Sequence, residues 1–78
     1  MLDKEKLGAL IKEKRKEKKL TQLNISESTG LSRSYISDIE KGRYMPSAES
    51  LYKIASCIEM DLNLLRMTEI QVVEWFYW

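Results

Sequence analysis

Seventy-eight residues set the scale of a single small domain, near the lower size at which one core suffices. One cysteine and no histidine exclude a disulfide framework within the chain and argue against a Cys/His zinc centre, and a reducing, cytoplasmic compartment fits. The net charge of +1 conceals a gradient, with eight Lys/Arg against four Asp/Glu in residues 1–19, three of each in residues 20–46, and two against five in residues 47–78.

The basic N-terminal end suits a polyanion nearby. A solvated helix face accounts for the same charges, so charge alone assigns no ligand. No apolar run has the length of a signal peptide or a membrane span. No repeat, linker or low-complexity segment breaks the chain.

In chain order, the first helix is expected over about residues 4–18. Leu7, Ile11, Lys14 and Lys18 form a stripe at helical spacing that is apolar only in its first half. Thr21 is an N-cap candidate for a second helix from about Gln22 to Thr29, ended by Gly30. Ser32 caps a third, about Arg33 to Lys41, with Ile36 and Ile39 on one face and Gly42 as its stop. Ser47 opens a fourth over about residues 48–59, amphipathic through Leu51, Ile54, Ala55 and Ile58. Asp61 caps a fifth, short helix containing Leu62, Leu64 and Leu65. The fold class expected is all-α, a compact five-helix domain.

The end of the chain differs. Ile70, Val72, Val73, Trp75, Phe76, Tyr77 and Trp78 make a β-branched and aromatic segment whose composition favours an extended strand. The domain is therefore read as residues 1–67 and the tail as residues 68–78. Such a tail needs cover. Three occupants are open: a second copy of the chain, the chain's own core, or another protein.

The stretch from Leu20 to Pro46 carries the chemistry. It reads as two short helices about a tight turn, the second polar and bearing an Arg, which is how a chain builds a rod for the DNA major groove. Leu20-Thr21-Gln22, Gly30-Leu31-Ser32, Tyr35-Ile36-Ser37, Ile39-Glu40-Lys41-Gly42 and Pro46-Ser47 resemble, at the same spacing, the lambda-repressor-like or Cro-like helix-turn-helix group, also called the xenobiotic-response-element family. The resemblance runs from about Leu7 to Leu65.

The resemblance implies roles residue by residue. Ser32, Arg33, Ser34, Ser37 and Asp38 would face base edges, with Arg33 suited to bidentate bonding of guanine O6 and N7. Thr21, Gln22, Tyr35, Lys41, Arg43 and Tyr44 would contact the DNA backbone, which sets register and salt dependence rather than sequence. Arg15 and Glu40 match positions that form a partly buried ion pair, so Arg15 is expected to be structural. Lys14, Lys18 and Lys19 could add long-range attraction, or simply be solvated. Lys19 and Glu59 stand where the family usually has Gly, and a left-handed conformation is expected at both. Ser26 stands where it prefers Ala, and Leu23 where it prefers a polar residue. Cys57 is expected to be a small buried hydrophobe.

The function implied is sequence-specific transcriptional regulation, as a repressor that binds a palindromic operator as a homodimer. The gene would be bacterial, phage or mobile-element borne. The alternative is an antitoxin-type module whose aromatic tail holds a partner protein while the helix-turn-helix autoregulates its operon. An enzyme is disfavoured, because there is no histidine, no nucleophile–base pair and no Gly-rich phosphate loop. No cofactor and no metal are expected.

Overall fold

The computed structural model describes residues 3–60. The fifth helix expected from Asp61, and the tail with Ile70, Val72, Val73, Trp75, Phe76, Tyr77 and Trp78, lie outside those residues. Among the described residues the fold is four helices without a strand: α1 (Lys4–Glu17), α2 (Gln22–Thr29), α3 (Arg33–Glu40) and α4 (Ala48–Cys57).

Each helix starts on a side-chain cap that satisfies an otherwise orphaned N–H. The Asp3 carboxylate accepts from Glu5 N–H at 2.9 Å and Lys6 N–H at 3.4 Å. Thr21 and Asn24 form a reciprocal capping box. The hydroxyls of Ser32 and Ser47 accept from Tyr35 N–H and Ser50 N–H, both at 3.1 Å.

The C-termini are equally regular. α1, α3 and α4 all end in the paired hydrogen bonds of a Schellman motif, which needs one left-handed residue. In α1 Lys19 N–H reaches Lys16 C=O and Leu20 N–H reaches Arg15 C=O; in α4 the corresponding donors are Glu59 and Met60. The left-handed residue is Gly42 in α3, but Lys19 in α1 (φ 58°) and Glu59 in α4 (φ 56°). Because of these motifs Lys18, Lys41 and Ile58 cap their helices, so three helices stop one or two residues before the ends expected from the sequence.

The core consists of Leu7 and Ile11 from α1, Ile25 from α2, Ile36 and Ile39 from α3, and Leu51, Ile54, Ala55 and Ile58 from α4 and its cap, with Met60. Full burial of an Ile or Leu side chain stabilises by about 1.5–3 kcal/mol. The buried stripe of α1 runs from Leu7 and Ile11 to Arg15, in keeping with the structural role expected of Arg15. Arg15 can take that place because a carboxylate meets it from α3. One sequence reading is corrected here: Cys57, expected to be buried, is half-buried at the edge of the core, since its neighbours on α4 take the central positions.

Two glycines let α1 close on the end of α3. A Cβ on Gly8 would stand 2.2 Å from the Ile39 carbonyl oxygen. One on Gly42 would stand 2.9 Å from Glu5 Cα. Both contacts are with backbone, which cannot swing aside.

Candidate nucleic-acid interface

The turn between α2 and α3 is fixed by side chains rather than by sequence length alone. Ser26 Oγ donates to Leu31 C=O at 2.6 Å. Thr29 Oγ1 donates to Ile25 C=O at 2.7 Å and accepts from Leu31 N–H at 3.2 Å. Gly30 takes the left-handed conformation that closes α2. Ser26, which departs from the family's Ala, thus gains a partner for its hydroxyl. Ile25, Ile36 and Ile39 are fully buried and Leu31 half-buried, which sets the angle between the two helices.

With Ile36 and Ile39 turned inward, the opposite face of α3 points out. Arg33, Ser34, Ser37 and Asp38 line one open concavity together with Gln22 from the start of α2 and Lys41 from the end of α3. Ser32 and Arg33 are exposed, and Arg33 makes no ion pair among the described residues. Asp38 is half-buried, and its carboxylate accepts from Arg43 Nη1 at 3.2 Å. The Schellman turn after α3 causes this pairing, because Arg43 N–H already bonds Asp38 C=O at 2.9 Å.

The remaining candidates are distributed as follows. Thr21, before α2, and Lys41, Arg43 and Tyr44, after α3, are exposed, while Tyr35 is half-buried against the core. Thr21 Oγ1 is already engaged in its cap. Lys14 pairs with Glu17 at 3.6 Å, and Lys18 pairs with Glu59, so these two lysines carry less unbalanced charge than the sequence suggests. The hydrogen bond from Lys18, with its charge, holds the Glu59 carboxyl below the usual Glu range.

Beneath the concavity lies a network. Arg15 Nε donates to Glu40 Oε2 at 2.8 Å, Arg15 Nη2 to Glu40 Oε1 at 3.0 Å, and Arg15 Nη1 to Leu20 C=O at 2.7 Å. Glu40 Oε1 also accepts from Gln22 Nε2 at 3.1 Å. Arg15 and Glu40 are each 8% exposed, so a bidentate pair in which both carboxylate oxygens have partners is what makes their burial tolerable. Among the described residues no buried side-chain polar atom lacks a partner.

Sequence reasoning passed over Asp3, Gly8 and the Gln22–Glu40 bond. A Gly inside a charge-rich helix was the available signal for Gly8, since Gly is a poor helix former and needs a packing reason. Nothing local signals the Gln22–Glu40 bond, which spans eighteen positions. Among the described residues no group of His, Cys, Asp and Glu could hold a metal ion, and no helix is long and apolar enough to cross a membrane.

Comparison with known proteins gives the same outline. The family model described as Helix-turn-helix matches residues 11–65. The ImmF control region 10 kDa protein of Bacillus phage phi105 is 62% identical over 74 residues, covering 95% of this chain and 82% of that protein. The immunity repressor protein of the same phage is 40% identical over 68 residues, 87% of this chain but 47% of that longer protein. An uncharacterized HTH-type transcriptional regulator of Methanothermobacter thermautotrophicus is 45% identical over 52 residues, 67% of this chain and 75% of that protein. No solved structure matches.

Proposed function

Because the chain belongs to the lambda-repressor/Cro-like helix-turn-helix family of DNA-binding transcriptional regulators, we propose that it is a repressor that binds a palindromic operator as a dimer, with α3 in the major groove. One observation carries the reading: Arg33, Ser34, Ser37 and Asp38 converge with Gln22 and Lys41 on one open concavity. Its donors suit base edges and the flanking phosphates. Arg33 reads guanine; Ser32, Ser34, Ser37 and Asp38 face neighbouring base edges. Gln22, Thr21, Tyr35, Lys41, Arg43 and Tyr44 hold the backbone. Likeness to a protein named an immunity repressor supports repression over activation.

Dimerisation follows from information content. One domain of this size reads a few base pairs, and a two-fold pair doubles the site. The test is selection of bound duplexes from random DNA. The reading requires enrichment of an inverted repeat with a guanine common to both halves. Arg33→Ala should then lose the preference at that base by about 1–3 kcal/mol while other positions keep theirs. Failure to enrich any sequence overturns the reading. Enrichment of an unsymmetrical site removes only the dimer.

A further inference from the structure

We propose that Glu40 is a positioning residue for DNA binding: fixed by Arg15, its carboxylate orients the Gln22 side-chain amide so that the remaining N–H meets a DNA phosphate at the start of α2. This rests on the reading of the concavity as a DNA surface and goes beyond it. Glu40 is otherwise the buried half of an ion pair whose role is to hold α1 to α3.

A Gln amide can turn about its last torsion and present either its oxygen or its nitrogen. A phosphate accepts and never donates, so only the nitrogen is useful to it. An ionised carboxylate is likewise an acceptor only, and Glu40 Oε1 lies 3.1 Å from Gln22 Nε2. Glu40 therefore selects the orientation in which the amide nitrogen is held and its oxygen is turned away from the carboxylate. One N–H is given to Glu40; the second is left to an external acceptor. A charged acceptor bonds an amide more strongly than a neutral one, so this orientation is held firmly and the second N–H is fixed in place.

The carboxylate cannot wander. Two N–H groups of the Arg15 guanidinium hold it, at 2.8 and 3.0 Å, and a third ties Arg15 to Leu20 C=O. Leu20 is two residues before Gln22. The same network therefore grips the backbone entering α2 and the side chain on its first residue. Arg15 also balances the Glu40 charge, so a phosphate approaching Gln22 meets a neutral pair.

The surroundings fit a phosphate. Gln22 lines the concavity beside Arg33 and Lys41. The backbone N–H groups of Gln22 and Leu23 precede the first intrahelical bond, from Ile25 N–H to Thr21 C=O, and a helix start of this kind presents free donors and a positive dipole end. The Asn24 N–H is occupied by Thr21 Oγ1, which leaves Gln22 and Leu23 as the open pair.

The experiment scans the duplex selected by the intact wild-type protein, replacing each phosphate in turn by a neutral methylphosphonate. Wild type should lose about tenfold in affinity at one phosphate per half-site. Gln22→Leu should bind the unmodified duplex about tenfold more weakly and be indifferent to that replacement. Arg15→Met with Glu40→Leu exchanges the buried pair for apolar side chains, which commonly preserves stability. It should keep its melting temperature and yet show the Gln22→Leu pattern; because it also removes the Arg15 bond to Leu20 C=O, the part due to Glu40 alone is isolated by a variant that retains Arg15. Glu40→Gln, tested below its melting temperature, is the second variant; its amide lets Gln22 turn over and should give the same pattern. If either folded variant keeps the wild-type sensitivity to that phosphate, the positioning role is overturned. A wild type that selects a duplex but is insensitive at every phosphate near Gln22 also overturns it alone. A wild type that selects no duplex overturns the DNA-binding reading, and this inference with it.

Discussion

Gly8 shows how one residue can govern a site it does not touch. Its missing Cβ lets the Ile39 and Glu40 carbonyls approach α1, with a Cβ position only 2.2 Å from the first and 3.0 Å from the second. Glu40 is thereby brought within reach of Arg15 on the same helix. Gly8→Ala keeps helix propensity and even improves it, so an isolated α1 would gain from the change. In the folded chain the methyl group meets backbone, and overpacking of this kind costs about 1–3 kcal/mol or more. The expected result is a fall in Tm of several degrees, about 4–8 °C per kcal/mol in a domain of this size, measured by thermal melting. A variant melting at or above wild type would mean that α1 shifts freely on α3.

At the scale of the element, the helix ends carry the strain. Lys19 and Glu59 adopt the left-handed backbone at the ends of α1 and α4, where Gly does so after α3. Lys19 is exposed, so Lys19→Gly removes the Cβ conflict without emptying the core. Relief of about 1–2 kcal/mol exceeds the added freedom of Gly in the unfolded chain, and a net gain of about 0.5–1 kcal/mol should appear as a raised denaturation midpoint with unchanged m-value. Glu59 has a compensation that Lys19 lacks: its carboxylate accepts from Lys18, tying the two strained turns together. That bond holds the Glu59 carboxyl below its ordinary value of 4.5. A depressed folded-state value gives stability that is present above the unfolded value and is lost as pH falls through the folded one. Wild type should therefore melt slightly above Glu59→Gln at neutral pH, and the difference should vanish in acid. The pair is exposed, so high salt should shrink the difference too.

The same elements explain what could be read in advance. Thr21, Ser32 and Ser47 as caps, and Gly30 and Gly42 as stops, are local signals, and the helix starts followed them to the residue. The outward face of α3 was legible because Ile36 and Ile39 fix the inward one. The Arg15–Glu40 pair, 25 residues apart in the chain and adjacent in space, was legible only through the family resemblance. What escaped depends on partners distant in sequence, such as the bond from Gln22 to Glu40. The resemblance makes Asp38 and Arg43 separate DNA contacts, but the turn after α3 delivers Arg43 to the Asp38 carboxylate. Helix ends shifted because a Schellman motif uses Lys18, Lys41 and Ile58 as caps, a choice set by hydrogen-bond geometry rather than by propensity.

For the whole molecule the open question is assembly. The described residues present one exposed α3 face, and the proposed binding to an inverted repeat would use two, related by a symmetry axis. The chain beyond residue 67 concentrates Ile70, Val72, Val73, Trp75, Phe76, Tyr77 and Trp78, more apolar surface than a monomer of this size exposes in comfort. Ending the chain after Met67 separates reading from pairing. If the tail pairs two copies, the intact protein should sediment at twice the chain mass and the shortened one at the chain mass. The shortened chain should also keep its affinity for a single half-site and lose most of its advantage on the full inverted repeat, since that advantage comes from linking two binding events. Retention of the dimer after shortening would move the symmetry axis onto residues 1–67. A monomeric intact chain that binds only one half-site would remove the dimer and leave the tail to another partner.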